Sequence, residues 1–363
     1  YTLAELDVTG YSEGVWDCSP NVGGGTFDSG SVTLPLGEDA TCTIVNNDIA
    51  PSLTVVKQVV NDNGGSATVT NFNLATSAGD LVFDGGNTVG ATTTYTATPR
   101  TGLSAGSPYW LVEDDVAGYS EGTWSCIPDV GGGAYDSGAV TLPLGEDVTC
   151  TIVNDDIAPT LTIVKQVVND NGGTASVANF GITTSAGDLV FDGGNTVGNT
   201  TTYTATPLTG LTAGMPYSLA EQDVADYSEG TWNCAPNVGG GAYDNGSVTL
   251  GPGEAATCTI VNDDQAPSLT VVKQVVNDNG GTATVADFGL TSSAGTLVFG
   301  GGSTVDDTTT YTAELTDLTA GVPYSLAELD VAGYSEGGWD CSPNDGGGLF
   351  SSGEVTLALG EAA

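Results

Sequence analysis

The chain has 363 residues, with 45 Asp and Glu against four Lys and Arg, no His, and a formal net charge of −41. Nucleic acid and anionic membrane need a basic footprint that displaces counterions, so neither is an expected partner, whereas cations are. No apolar run is long enough to cross a bilayer and no charged leader precedes a hydrophobic stretch, so neither a membrane span nor a signal peptide is expected in this segment.

Self-similarity at a fixed period sets the organisation. The chain opens on Tyr-Thr-Leu-Ala-Glu at Tyr1–Glu5, and the pattern returns at Tyr109–Glu113, Tyr217–Glu221 and Tyr324–Glu328. Trp16 and Cys18 come next, with counterparts at Trp124 and Cys126, Trp232 and Cys234, and Trp339 and Cys341. Lys57, Lys165 and Lys273 stand 108 residues apart (165 − 57, 273 − 165) inside near-copies of LTVVKQVVNDNGG. A unit of that size can own a core, unlike solenoid repeats of about 20–45 residues, so separate beads are expected. Residues 1–48 read as the C-terminal part of a repeat, 49–156 and 157–264 as complete repeats, and 265–363 as a repeat lacking its last strand. Both ends fall inside a repeat, so the sequence reads as a segment of a longer array. A neighbour's Thr41–Asn47 strand completing the last repeat is the less economical alternative.

In chain order, residues 53–60, 68–74, 80–83, 93–97, 109–113, 119–126 and 140–154 are rich in β-branched and aromatic residues, separated by Gly, Asn, Asp and Pro clusters. The last run is broken at Leu-Pro-Leu-Gly-Glu-Asp. Turns such as NDNGG, DGGN and DVGGG supply the positive-φ positions that tight connections need. About seven strands without helical periodicity predict an all-β fold of tandem Ig-like or transthyretin-like β-sandwich domains. The short link from Val153 to Leu161 contains Pro159, which stiffens it, so a linear rod is expected.

Alternation along a strand puts Leu53, Val55, Lys57 and Val59 on one face, so the lysine points at the core. An unpaired ammonium there costs several kcal/mol, so the group must be paired, neutralised or chemically consumed. The same parity turns Glu113 inward with Tyr109 and Leu111, and Asn154 inward with Cys150 and Ile152.

Lysine, glutamate and asparagine in this order and spacing resemble the intramolecular isopeptide site of SpaA or CnaB type, found in prealbumin-like domains of bacterial pilins and cell-surface adhesins. The resemblance implies a bond from a first-strand lysine to a last-strand asparagine, promoted by the glutamate of the Tyr-x-Leu-x-Glu segment. It implies two complete sites, Lys57 with Asn154 and Glu113, and Lys165 with Asn262 and Glu221. Two more are split: Glu5 with Asn46, and Lys273 with Glu328. The chemistry is reasonable in itself, since burial favours a neutral amine beside a neutral acid, and the fold supplies proximity. The family usually has Thr after the glutamate, where this chain has Leu6, Asp114, Gln222 or Leu329, and no Leu-Pro-x-Thr-Gly signal is present. An ordinary ion pair of Lys57 with Glu113 is the alternative to the covalent bond.

Cys18 and Cys42, Cys126 and Cys150, and Cys234 and Cys258 recur as pairs, which favours disulfides in an oxidising compartment over small buried hydrophobes. Cys341 is left single. Zinc is not expected, because two thiols without histidine cannot fill a tetrahedral site. At the acidic junction of Asn154, Asp155 and Asp156, calcium is one reading and a solvated turn the other, and no further cofactor is expected. The tryptophans are expected to pack on the disulfides, and Asn199 and Asn245 match glycosylation sequons. The functional expectation is a structural module of an extracellular filament or adhesin stalk, with single-turnover self-crosslinking and no enzyme activity. Its expected partners are further copies of the repeat in a longer chain or fibre and a host or environmental surface. The alternative is a calcium-stiffened cell-surface binding module that displays loops such as Asn21–Gly30 and lacks the covalent bonds.

Overall fold

Ser52–Val60 alternates half-buried and fully buried residues along its whole length, as its β-branched run requires. This opening strand lies parallel to the closing strand, Asp147–Asp156, with Lys57 beside Ile152 and Val59 beside Asn154. On its other edge it pairs antiparallel with Thr92–Thr96, which continues to Asn87–Val89. Tyr119–Glu121 and Ser125–Pro128 both add to the far edge of the closing strand, which completes a six-stranded sheet. A second sheet of four strands runs in the order Ala134–Asp136, Ala139–Thr141, Pro108–Val112, Ala75–Thr76. Leu53, Val55, Leu111, Val140, Val148 and Cys150 fill the space between them. The structure, a computed structural model, describes all residues except 21–25, 29, 129–133, 137, 237–242, 245, 343–348 and 352. Most of the Asn21–Gly30 loop, the DVGGG turn and the Asn245 sequon therefore lie outside the described residues, which contain no α-helix.

The same two sheets recur in residues 157–264, where Thr160–Val168 lies parallel to Ala255–Asp264 and packs over Leu161, Ile163, Leu219, Val248 and Cys258. In residues 265–363 the opening strand, Leu269–Val276, pairs among the described strands only with Thr308–Leu315; the start of its other edge meets Glu361–Ala363, where the Ser268 and Thr270 N–H groups bond the carbonyls of Glu361 and Ala363, and no described strand lies beside the rest. Residues 334–336 and 340–342, which answer to Tyr119–Glu121 and most of Ser125–Pro128, form no strand. By contact, one compact unit comprises Tyr1–Pro159 with Thr212–Gly214 and Gly251–Glu254, and the other comprises Thr160–Leu211, Met215–Leu250 and Ala255–Ala363.

Two expected strands are not strands. Residues 68–74 instead hold a single 3-10 turn, Val69–Asn71, because the Asn71 side chain accepts the Thr68 N–H at 2.8 Å and gives the backbone a local alternative to a ladder. Residues 80–83 contribute only the isolated bridge of Phe83 to Ala97. The expected strand 119–126 is two, Tyr119–Glu121 and Ser125–Pro128. Between them the Gly122 N–H bonds the carbonyl of Val153, so the closing strand is gripped at both ends of the break.

Candidate functional site

Lys57 is fully buried, as are the side chains of its neighbours in space, Glu113 and Asn154. The reason lies in the strands. Parity aims Lys57 into the core, Pro108–Val112 delivers Glu113 just past its end, and the closing strand brings Asn154 two residues beyond the register partner of Lys57. The lysine Nζ donates to Glu113 Oε2 at 2.5 Å and to Asn154 Oδ1. In the next repeat Lys165 Nζ donates to Glu221 Oε2 at 2.9 Å and to Asn262 Oδ1. Lys273 donates to Glu328 Oε2 at 2.6 Å, and among the described residues it makes no hydrogen bond to an asparagine. With the edge of its strand open, its side chain keeps 15% exposure against 0% for the other two lysines. Glu5 is half-buried and Asn46 exposed.

Burial pushes the amines of Lys57 and Lys165 below their ordinary range, and the hydrogen bond and charge of Glu113 or Glu221 oppose the shift without cancelling it. Each glutamate uses one oxygen on the lysine, while Glu113 Oε1 and Glu221 Oε1 are buried without a hydrogen-bond partner. A buried carboxylate oxygen left without a donor in this way is costly. The arrangement presents an amine with lowered proton affinity to a carboxamide, with an acid alongside. Nucleophilic acyl transfer at nitrogen needs these parts.

One component went unread in the sequence. The Phe72 ring lies 4.0 Å from Lys57 Nζ, with Phe180 and Phe288 in the same place over Lys165 and Lys273. Phe72 is fully buried at the C-terminus of the 3-10 turn and stacks edge-on against Tyr119 at 5.6 Å. The ring excludes water and offers the ammonium a π face worth about 2 kcal/mol when desolvated. A phenylalanine recurring with the lysine's period was the available signal.

The acidic junction is organised by hydrogen bonds. Asp156, buried at the end of the closing strand, accepts the backbone N–H groups of Asp62 at 2.9 Å and Asn63 at 3.0 Å, and that of Gly65. The NDNGG turn thus folds around one carboxylate, and Asp264 holds the turn at Asp170–Gly173 in the same way. Carboxylate oxygens of Asp62, Asp155 and Asp156 lie within 4.8 Å of one another, a donor set compatible in kind with a hard cation.

Disulfides join Cys18 to Cys42, Cys126 to Cys150 and Cys234 to Cys258, each closing a separation of 24 residues, and Cys341 is free and half-buried. Trp124 packs against the core that contains Cys126 and Cys150. Asn199 is exposed in a turn.

A family model described as a prealbumin-like fold domain matches residues 1–44, 48–152, 156–260 and 264–363. None of the curated proteins matches the chain. Among solved structures, the major pilin protein T-13 of Streptococcus pyogenes is similar, at 17% identity over 59% of this chain and 97% of that one, with a TM-score of 0.26. Another S. pyogenes major pilin is similar at 18% identity over 60% of this chain and 99% of that one, with a TM-score of 0.26.

Proposed function

Because this chain belongs to the SpaA-type prealbumin-like fold family, we propose that its repeats are structural modules of an extracellular filament or adhesin stalk, each locked internally by a Lys–Asn isopeptide bond and a disulfide. The contact of the Lys57 amine with the Asn154 carboxamide beside Glu113, repeated at Lys165, Asn262 and Glu221, carries the reading. Each site reacts once, so the module is a scaffold and no turnover enzyme. Disulfides at a fixed place in the repeat support a location outside the reducing cytosol, at the cell surface.

Intact mass tests the proposal. Each bond expels one ammonia, so after reduction of the disulfides the chain should weigh about 34 Da less than its sequence, about 17 Da per site. Lys57→Ala should restore about 17 Da and destabilise its repeat by about 3–5 kcal/mol, because it removes the crosslink and also leaves the buried Glu113 carboxyl without the nitrogen that donates to it. A chain at full sequence mass would overturn the covalent reading. The calcium-stiffened alternative draws on the Asp62, Asp155 and Asp156 donor set, and a melting temperature that falls on adding a chelator would favour it.

A further inference from the structure

The motif Tyr-Ser-Glu-Gly stands in every repeat, at Tyr11–Gly14, Tyr119–Gly122, Tyr227–Gly230 and Tyr334–Gly337, and its glutamate has no part in the Lys–Glu–Asn set. Glu121 is the cross-strand neighbour of Asn154, and Glu229 that of Asn262. Glu121 and Glu113 line one cavity of about 590 Å³, together with Leu111, Thr123 and Trp124. This is the cavity beside a buried carboxyl whose Oε1 lacks a partner. A second acid also recurs, two residues after each promoting glutamate, as Asp7, Asp115, Asp223 and Asp330. Asp115 lies close enough to Glu121, and Asp223 to Glu229, for the two carboxyls of each pair to share a proton.

We propose that Glu121 and Glu229, each paired with Asp115 or Asp223, are positioning residues that relay protons for the self-crosslinking reaction, and that the cavity beside Glu121 is the way by which ammonium leaves that site. The inference rests on the covalent reading above. In the step, the Nζ–Cγ bond forms and the Cγ–Nδ2 bond of the asparagine breaks. A lysine that starts as an ammonium sheds two protons and the departing nitrogen gains two, so ammonium leaves and no oxidant or reductant is needed. Glu113 sits on the amine, where it takes protons from Nζ. A second acid beside Asn154 can return them to Nδ2 while Glu113 stays engaged. Burial first, then the charges of Glu113 and Asp115, hold the Glu121 carboxyl above its ordinary range, and the charge of Lys57 pulls the other way. Glu229 is held up in the same manner by burial, Glu221 and Asp223, against Lys165. A carboxyl that keeps its proton nearer neutrality is better suited to general acid work.

The test uses the full chain, recovered unreacted in denaturant, refolded by dilution across a pH series and sampled by intact mass. The parent chain should show a rate that falls as pH rises through the raised pKa of Glu121 and Glu229. The double variant Glu121→Gln, Glu229→Gln should close its bonds about tenfold more slowly or worse and should lose that falling limb. Asp115→Asn with Asp223→Asn should shift the same limb. A double variant with the parent's rate would overturn the relay, and so would slower closure with an unchanged pH profile, which marks a merely structural role. If the parent chain never loses ammonia, the crosslink falls and the relay with it, and the same spectra tell that failure from the first.

Discussion

At Lys57 two effects compete, and the pH dependence of stability shows which one wins. Burial lowers the amine's proton affinity from the ordinary 10.5, while Glu113 raises it, and burial is the larger. In Asn154→Ala the lysine cannot be consumed and still titrates. Its unfolded chain then binds a proton near pH 10.5, whereas its folded repeat binds one only at lower pH. Between these values the unfolded state holds the extra proton, so stability falls as pH drops through the window, stays low beneath it, and recovers as pH rises. The bonded parent has no titrating amine at this position. The melting-temperature gap between parent and Asn154→Ala should therefore shrink as the solution is taken from neutrality toward pH 10.5. A constant or widening gap would contradict burial as the dominant effect. Phe72 makes a second prediction at this scale. Phe72→Leu keeps an apolar cover but loses the π face, and should destabilise the unreacted repeat by about 2 kcal/mol more than the bonded one, as read by denaturant midpoints.

Among elements, the closing strand carries several separate attachments. It is paired in parallel to the opening strand, bridged through Cys150, and at Asp156 it holds the turn that follows the opening strand. Asp156→Asn keeps the shape but removes the charge that the Asp62, Asn63 and Gly65 amides point at, and should cost about 1–3 kcal/mol. Limited proteolysis would show this as new cleavage within residues 61–65. Replacing Cys126 and Cys150 by Ser reopens a loop of 24 residues and should cost about 3 kcal/mol in the chain-entropy account. If the bonded repeat loses nothing in thermal melting on that change, the two crosslinks constrain the same freedom. How much was legible in the sequence follows from the same geometry. Lys57, Glu113 and Asn154 were readable because strict alternation fixes a face for every residue of a regular strand. Phe72 was not, because it acts where the alternation stops, and although the alternation runs on through Asp156, it does not show the turn that this carboxylate holds. Phe72 leaves a 3-10 turn, and Asn73 after it takes φ 45°, a left-handed position filled by Gly181 and Gly289 in the other repeats. Thr68–Leu74 has the composition of a strand, and only the Asn71 side chain reveals it as a turn.

For the molecule as a whole, the position of the proposed bond decides how a repeat bears load. Lys57 and Asn154 are separated by 97 residues of sequence, and the chain enters and leaves the repeat just outside them. A pull on the termini of a bonded repeat would reach the closing strand through the amide, and the intervening segment would stay folded; with the 24 residues closed by the Cys126–Cys150 disulfide set aside (97 − 24 = 73), it could extend by about 250 Å at roughly 3.4 Å per residue. Single-molecule stretching should show no unfolding step of that size in the parent and one for each repeat in Lys57→Ala and Lys165→Ala. Full-length steps in the parent would refute the mechanical role.

The placement of the lysines has one more effect. In residues 157–264 the sole cationic side chain is Lys165, and it is fully buried, so that stretch shows solvent a skin of acids alone. Two such skins repel where their ion atmospheres overlap, and that reach shrinks from about 30 Å at 0.01 M salt to about 8 Å at physiological strength. Strands of this protein laid side by side would keep apart in fresh water and draw together in brine, with salinity setting their spacing.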